Sequence, residues 1–200
     1  MKLRSAVLLT LIGCALMLLC QLIQIWKFLD RLVNQVFSSV VYCHISYLVF
    51  AVTLFFFFLI AHDRYVIERL KIASLLGMIS SVWIFLNGLL KVIPASEEQF
   101  TSLVSPTFMS ISDILKDLLL MIFFILYLRK QLGKAMSLVT KVAITGIFLI
   151  LLTSISKLLV SYFDVSIFSH ILQFSPTLHF IRILFLLVFF WCFRIAKNKH

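Results

Sequence analysis

The chain has few of the residues that interrupt helices: only three prolines and five glycines in 200 residues. No stretch therefore reads as a linker or a low-complexity tail, and no connection is long enough for a second, soluble domain. Acidic residues are also scarce, eight against eighteen lysines and arginines, and charged residues make up only 13% of the chain. That is too little polar surface to wrap a water-soluble domain of this length. Metal and redox spacings are missing. His44, His62, His170, His179 and His200 form no His-x3-His or His-Glu-x-x-His pattern, and Cys14, Cys20, Cys43 and Cys192 form no Cys-x-x-Cys pair. The cysteines read as small apolar core residues, and neither a metal nor another cofactor is expected. The chain also lacks a glycine-rich phosphate loop, a Gly-x-Ser-x-Gly elbow and a zinc-protease motif. Nothing in it marks a nucleic-acid module.

Long apolar runs take the place of these features. Hydrophobic residues make up 62% of the chain, and its mean hydropathy is +1.12. Six stretches, at about 5–26, 39–61, 72–93, 107–128, 142–163 and 176–193, are each the length a helix needs to cross ~30 Å of hydrocarbon. The expected fold is all-α: one polytopic membrane bundle of six transmembrane helices over residues 1–200, with the lipid bilayer as its surroundings.

The net charge of +10 carries a topology signal. Lys2 and Arg4 precede the first stretch, and Arg64, Arg69 and Lys71 lie between the second and third. Arg129, Lys130, Lys134 and Lys141 lie between the fourth and fifth, and Arg194, Lys197 and Lys199 follow the sixth. These segments hold twelve of the eighteen basic residues. The alternate connections hold Lys27 and Arg31, then Glu97 and Glu98, then Asp164. Positive charge at span ends marks the cytoplasmic side. The expectation is a multi-pass protein of the cell membrane, a bacterial inner membrane by preference, with both termini cytoplasmic.

Two local signals are set aside. Met-Lys-Leu-Arg before an apolar run, with Leu11-Ile12-Gly13-Cys14 inside it, has the look of a signal peptide with a lipobox. The apolar run continues to Trp26, however, so the first stretch reads as a retained anchor. Asp63-Arg64-Tyr65 is similar to the Asp-Arg-Tyr of rhodopsin-like receptors. Here it follows the second span of a six-span chain, and it reads as a basic helix end with an interfacial tyrosine.

Two matches at one offset read either as an internal repeat or as convergence on a good helix start. Lys71-Ile72-Ala73 is echoed by Lys141-Val142-Ala143, and Ser105-Pro106-Thr107 by Ser175-Pro176-Thr177, both with an offset of 70 residues. Proline suits a first helical turn, and the hydroxyls can cap free N–H groups there. Three parallel helical hairpins, each inserted in the same direction, make the economical architecture.

Polar residues concentrate in one half of these stretches. Asp113, Lys116 and Asp117 share one face of the fourth by their i, i+3, i+4 spacing, and Ser175, His179 and Arg182 share one face of the sixth. Lys91 with Asn87, Lys157 with Thr153 and Ser161, Gln21 with Gln24, and His44 complete the set. An uncompensated charge in hydrocarbon costs at least ~3 kcal/mol. Lys91, Asp113, Lys116, Asp117, Lys157, His179 and Arg182 are therefore candidate ligand-binding residues around a net-positive cleft open to the extracytoplasmic side. Such a cleft suits binding or transport of a small anionic or polar solute. The competing reading has the same charges snorkel or pair to fix helix register. That reading fits a non-catalytic accessory subunit meeting a membrane-protein partner or a second copy of itself. Catalysis by Asp113 and Asp117 ranks third, since Lys116 between them works against the acid–base tuning such a pair requires.

Overall fold

In the computed structural model, which describes residues 3–25, 39–92, 106–129, 133–163 and 175–198, every regular element is a helix. The helices are α1 (Leu3–Ile25), α2 (Ser39–Arg64), α3 (Glu68–Val92), α4 (Pro106–Leu128), α5 (Lys134–Phe163) and α6 (Ser175–Asn198). Most run past the apolar stretches at their basic ends. The longest, α5, has 30 residues and begins at Lys134, a turn or more before the apolar run. As expected from the Ser-Pro-Thr motifs, α4 opens at Pro106 and α6 at Ser175.

Five of the helices are long and apolar enough to cross a membrane. The other, α4, is as long as α1 at 23 residues, but it carries Asp113, Lys116 and Asp117 in its first half. It packs between α3 and α5 as the other helices pack between their neighbours. Each helix lies against the next in sequence, and α1 lies against α6, so the six form a closed ring in chain order.

The side chains that fill this ring repeat every 66 residues. Phe57, Phe123 and Phe189 are fully buried, as are Phe58, Phe124 and Phe190. These six rings touch in a closed cycle. Phe58 meets Phe123 at 4.6 Å, Phe124 meets Phe189 at 4.8 Å, and Phe190 meets Phe57 at 4.9 Å. The neighbours within each helix complete it at 5.0–5.3 Å. All six contacts are edge-to-face, the arrangement that sets the positive edge of one ring against the negative face of the next. Because α2, α4 and α6 are not neighbours in the ring of helices, these contacts can form only across its axis. The axis is thus closed by aromatic side chains in the half nearer the basic end, with Tyr127 and Phe193 beneath them. Above them Leu54, Leu120 and Leu186, again 66 residues apart, form a buried aliphatic layer.

The odd-numbered helices follow a similar spacing, with Gly13, Ser80 and Gly146 separated by 67 and 66 residues. Gly13 of α1, Ser80 of α3 and Gly146 of α5 each meet the backbone of the following helix. A Cβ on Gly13 would lie 3.1 Å from Phe50 Cα, and one on Gly146 would lie 3.3 Å from Arg182 Cα. Ser80 Oγ donates to the Lys116 carbonyl at 2.8 Å. Phe50, Lys116 and Arg182 are themselves 66 residues apart. The architecture is therefore three parallel hairpins about a pseudo-threefold axis, with a different period from the one the motifs suggest. The 70-residue spacing of Ser-Pro-Thr exceeds the structural period by one helical turn, since α6 opens a turn deeper than α4 does.

Cys20 and Tyr65 depart from their expected surroundings. Cys20 is disulfide-bonded, whereas Cys14 and Cys192 are free thiols; a disulfide needs no Cys-x-x-Cys spacing. Tyr65 is not an interfacial anchor but is buried in the main apolar cluster. The short link 65–67 turns its ring inward, and the Tyr65 amide still donates to the Ala61 carbonyl at 3.0 Å.

Candidate functional site

One to two helical turns above the aliphatic layer, the axis changes character. The three equivalent positions there are Phe50, Lys116 and Arg182, all at most 5% exposed, followed in each helix by Ala51, Asp117 and Ile183. One turn further out stand Tyr47, Asp113 and His179. The pseudo-threefold frame thus gathers the polar face of α4 and that of α6 at one level, and α2 adds a tyrosine.

The charges at this level meet one another. Lys116 forms an ion pair with Asp113 one turn away, and its ammonium also donates to Tyr47 Oη at 3.1 Å. Arg182 Nη1 donates to Asp117 Oδ1 at 2.8 Å, linking α6 to α4 across the axis. That second pair is almost completely shielded, with side-chain exposures of 6% and 1%. The four formal charges cancel, so the excess expected of the cleft does not arise from this quartet.

The pairing of Arg182 with Asp117 is incomplete. Among the described residues, Asp117 Oδ2 and Arg182 Nε have no hydrogen-bond partner, although both are buried. A guanidinium fork and a carboxylate can meet through two parallel hydrogen bonds, but here they meet through one. The pair therefore presents one spare acceptor and one spare donor beside a single hydrogen bond.

A neutral network fixes α4 against α3. Asn87 Nδ2 donates to Ser112 Oγ at 2.8 Å, Ser112 Oγ lies 3.0 Å from Asn87 Oδ1, and Trp83 Nε1 also donates to that hydroxyl. With the Ser80 bond to the Lys116 carbonyl, this network sets the rotation of α4 that points Lys116 and Asp117 at the axis. Ser112 and Tyr47 stand in the polar outer thirds of their stretches, whereas nothing in the hydropathy pattern singled out Ser80 or Trp83. The 66-residue alignment of Tyr47 with Asp113 and His179 is the signal that places the tyrosine at their level.

The remaining candidates lie higher. His179 is half-buried one turn outward of Arg182, and Lys157 is half-buried in the last two turns of α5. His44 is half-buried in the first turns of α2. Lys91 lies on the last turn of α3, and its side chain falls outside the described residues, as do the side chain of Gln24 and the whole of Glu97, Glu98 and Asp164. Among the described residues, no cluster of histidine, cysteine and carboxylate side chains could hold a metal ion. The chain matches no protein family, and no curated protein or solved structure is similar to it.

Proposed function

We infer that this chain is a multi-pass membrane protein that binds a small polar solute on its pseudo-threefold axis and passes it across the bilayer. One observation carries the reading. The ionisable side chains of α4 and α6 converge on the axis at one depth, immediately above a closed floor of leucine and phenylalanine. Charges that only fixed neighbouring helices would be satisfied at helix-to-helix seams. Intramembrane ionisable groups that face a bundle interior mark solute and ion pathways, and an apolar layer across that path is what a carrier needs to avoid leaking. Lys116, Asp117 and Arg182 would contact the solute, with Asp113, Tyr47 and His179 around them and Lys91 and Lys157 nearer the mouth.

The mouth faces the extracytoplasmic side in this reading. The basic helix ends favour cytoplasmic termini. Cys20, seventeen residues up α1 from its start, favours the same orientation, since disulfides persist in oxidising compartments.

The test is thermal stability of the purified protein in mild detergent against a panel of small anions, metabolites and lipids, with Lys116→Ala and Arg182→Ala beside it. A solute that raises the wild-type Tm and leaves folded variants unshifted supports the reading. No shift with any member, together with variants that are themselves strongly destabilised, points to the second reading. There the charges fix the register of an accessory subunit; the mutual pairing of all four favours it, and it predicts that the same variants release a membrane partner.

A further inference from the structure

We propose that the axial solute is a zwitterion of the α-amino-acid type, carrying a carboxylate and an ammonium on one carbon. The proposal rests on the solute-binding reading above and narrows it from anions in general.

Arg182 contacts Asp117 through Nη1 alone, leaving Nε as a buried donor and Asp117 Oδ2 as a buried acceptor among the described residues. Each side chain is more than nine-tenths buried. A buried polar group without a partner is costly and is normally satisfied. The two spare groups flank one 2.8 Å hydrogen bond, so whatever satisfies both must present an acceptor and a donor close together.

Charge balance then selects among solutes that do so. Lys116 with Asp113 and Arg182 with Asp117 already sum to zero. A plain anion that took Arg182 would leave Asp117 charged, shielded and unpaired. A plain cation that took Asp117 would strand Arg182 in the same way. Leaving one member of a buried pair uncompensated is the most damaging change such a pair can suffer. A zwitterion avoids both outcomes. Its carboxylate meets the Nε edge of Arg182, a planar fork suited to that group, while its ammonium meets Asp117. Every charge keeps an opposite partner when the solute inserts. Because both spare groups belong to one hydrogen-bonded pair, a zwitterion with its charges on one carbon suits them better than one with its charges at the two ends of a long chain. Phe50, which stands where the other two hairpins carry Lys116 and Arg182, gives the axial level an apolar side.

The experiment uses the full chain in lipid nanodiscs and measures binding by calorimetry. The probes are glycine, L-alanine, L-serine, L-leucine and L-glutamine. Each is compared with its deaminated acid and its decarboxylated amine, and 6-aminohexanoate serves as the separated-charge control. At least one amino acid is expected to bind about a hundredfold or more tightly than both of its truncated forms and than 6-aminohexanoate. The double variant Arg182→Leu with Asp117→Leu, which removes both buried charges together, is expected to stay folded by gel filtration and to lose that binding. Equal affinity for a deaminated acid overturns the zwitterion proposal and leaves a polar-solute site in place. Amino-acid binding retained by the folded double variant overturns the site assigned to it. Absence of binding by every probe overturns the proposal; if the wider solute panel is also silent, the carrier reading fails with it.

Discussion

At the scale of single residues, Arg182 and Asp117 depend on each other. Removing one partner strands the other in a shielded site, which costs about 3–5 kcal/mol, whereas replacing both with leucine is nearly neutral. Arg182→Leu alone is therefore expected to lower the denaturant or thermal midpoint far more than the double replacement does. Destabilisation by the double variant equal to the single one would contradict the pairing. Gly146 makes a second prediction. A methyl group there would meet Arg182 Cα at 3.3 Å and the Phe185 ring at 2.8 Å, so Gly146→Ala is expected to cost about 1–3 kcal/mol by overpacking. Gly133, with nothing within 4 Å of its would-be Cβ, is expected to accept the same change without such a penalty. Much of the polar set was legible from spacing, since Asp113, Lys116 and Asp117 had to share a face. Which charges would pair was not. The partner of Asp117 lies 65 residues away, and hydropathy fixes only depth, leaving the rotation that the Asn87–Ser112–Trp83 network imposes.

At the scale of helices, the even-numbered members carry the centre and the odd-numbered ones brace them. The aromatic cycle depends on α2, α4 and α6 equally, each of which gives two adjacent phenylalanines. Phe123 makes an edge-to-face contact with Phe58 and another with Phe124, and each such pair is worth roughly 0.5–1.5 kcal/mol beyond area. Phe123→Ala is thus expected to lose at least about 1–3 kcal/mol of stability. Phe148→Ala, on the exposed side of α5 at 47% exposure, is expected to change stability by under about 0.5 kcal/mol. A scan of unfolding midpoints separates the two. The helices themselves were visible in the apolar runs, apart from ends that extend into basic segments. The period of the repeat was written in Phe57, Phe123 and Phe189, yet a more conspicuous Ser-Pro-Thr pair pointed to 70. That motif reports where a helix starts, which can slide by a turn, while the aromatic layer reports where helices must meet.

At the scale of the whole molecule, the disulfide at Cys20 and the basic helix ends lie at opposite ends of the bundle. Cys20 is 2% exposed, so reduction of the native protein is expected to be slow; reduction near the unfolding midpoint of the purified protein is expected to lower Tm by an amount that corresponds to about 2–4 kcal/mol, and an unchanged Tm would contradict a stabilising cross-link. The ring has a consequence for chain connectivity. Because α1 lies against α6, and α1 begins at the end where α6 stops, the first and last described residues are neighbours around the circle. The contact of α6 with α1 lies between two hairpins, as the 65–67 link does. Joining the ends with a flexible linker and opening the chain at that link would give a circular permutant with every helix in its original place and direction.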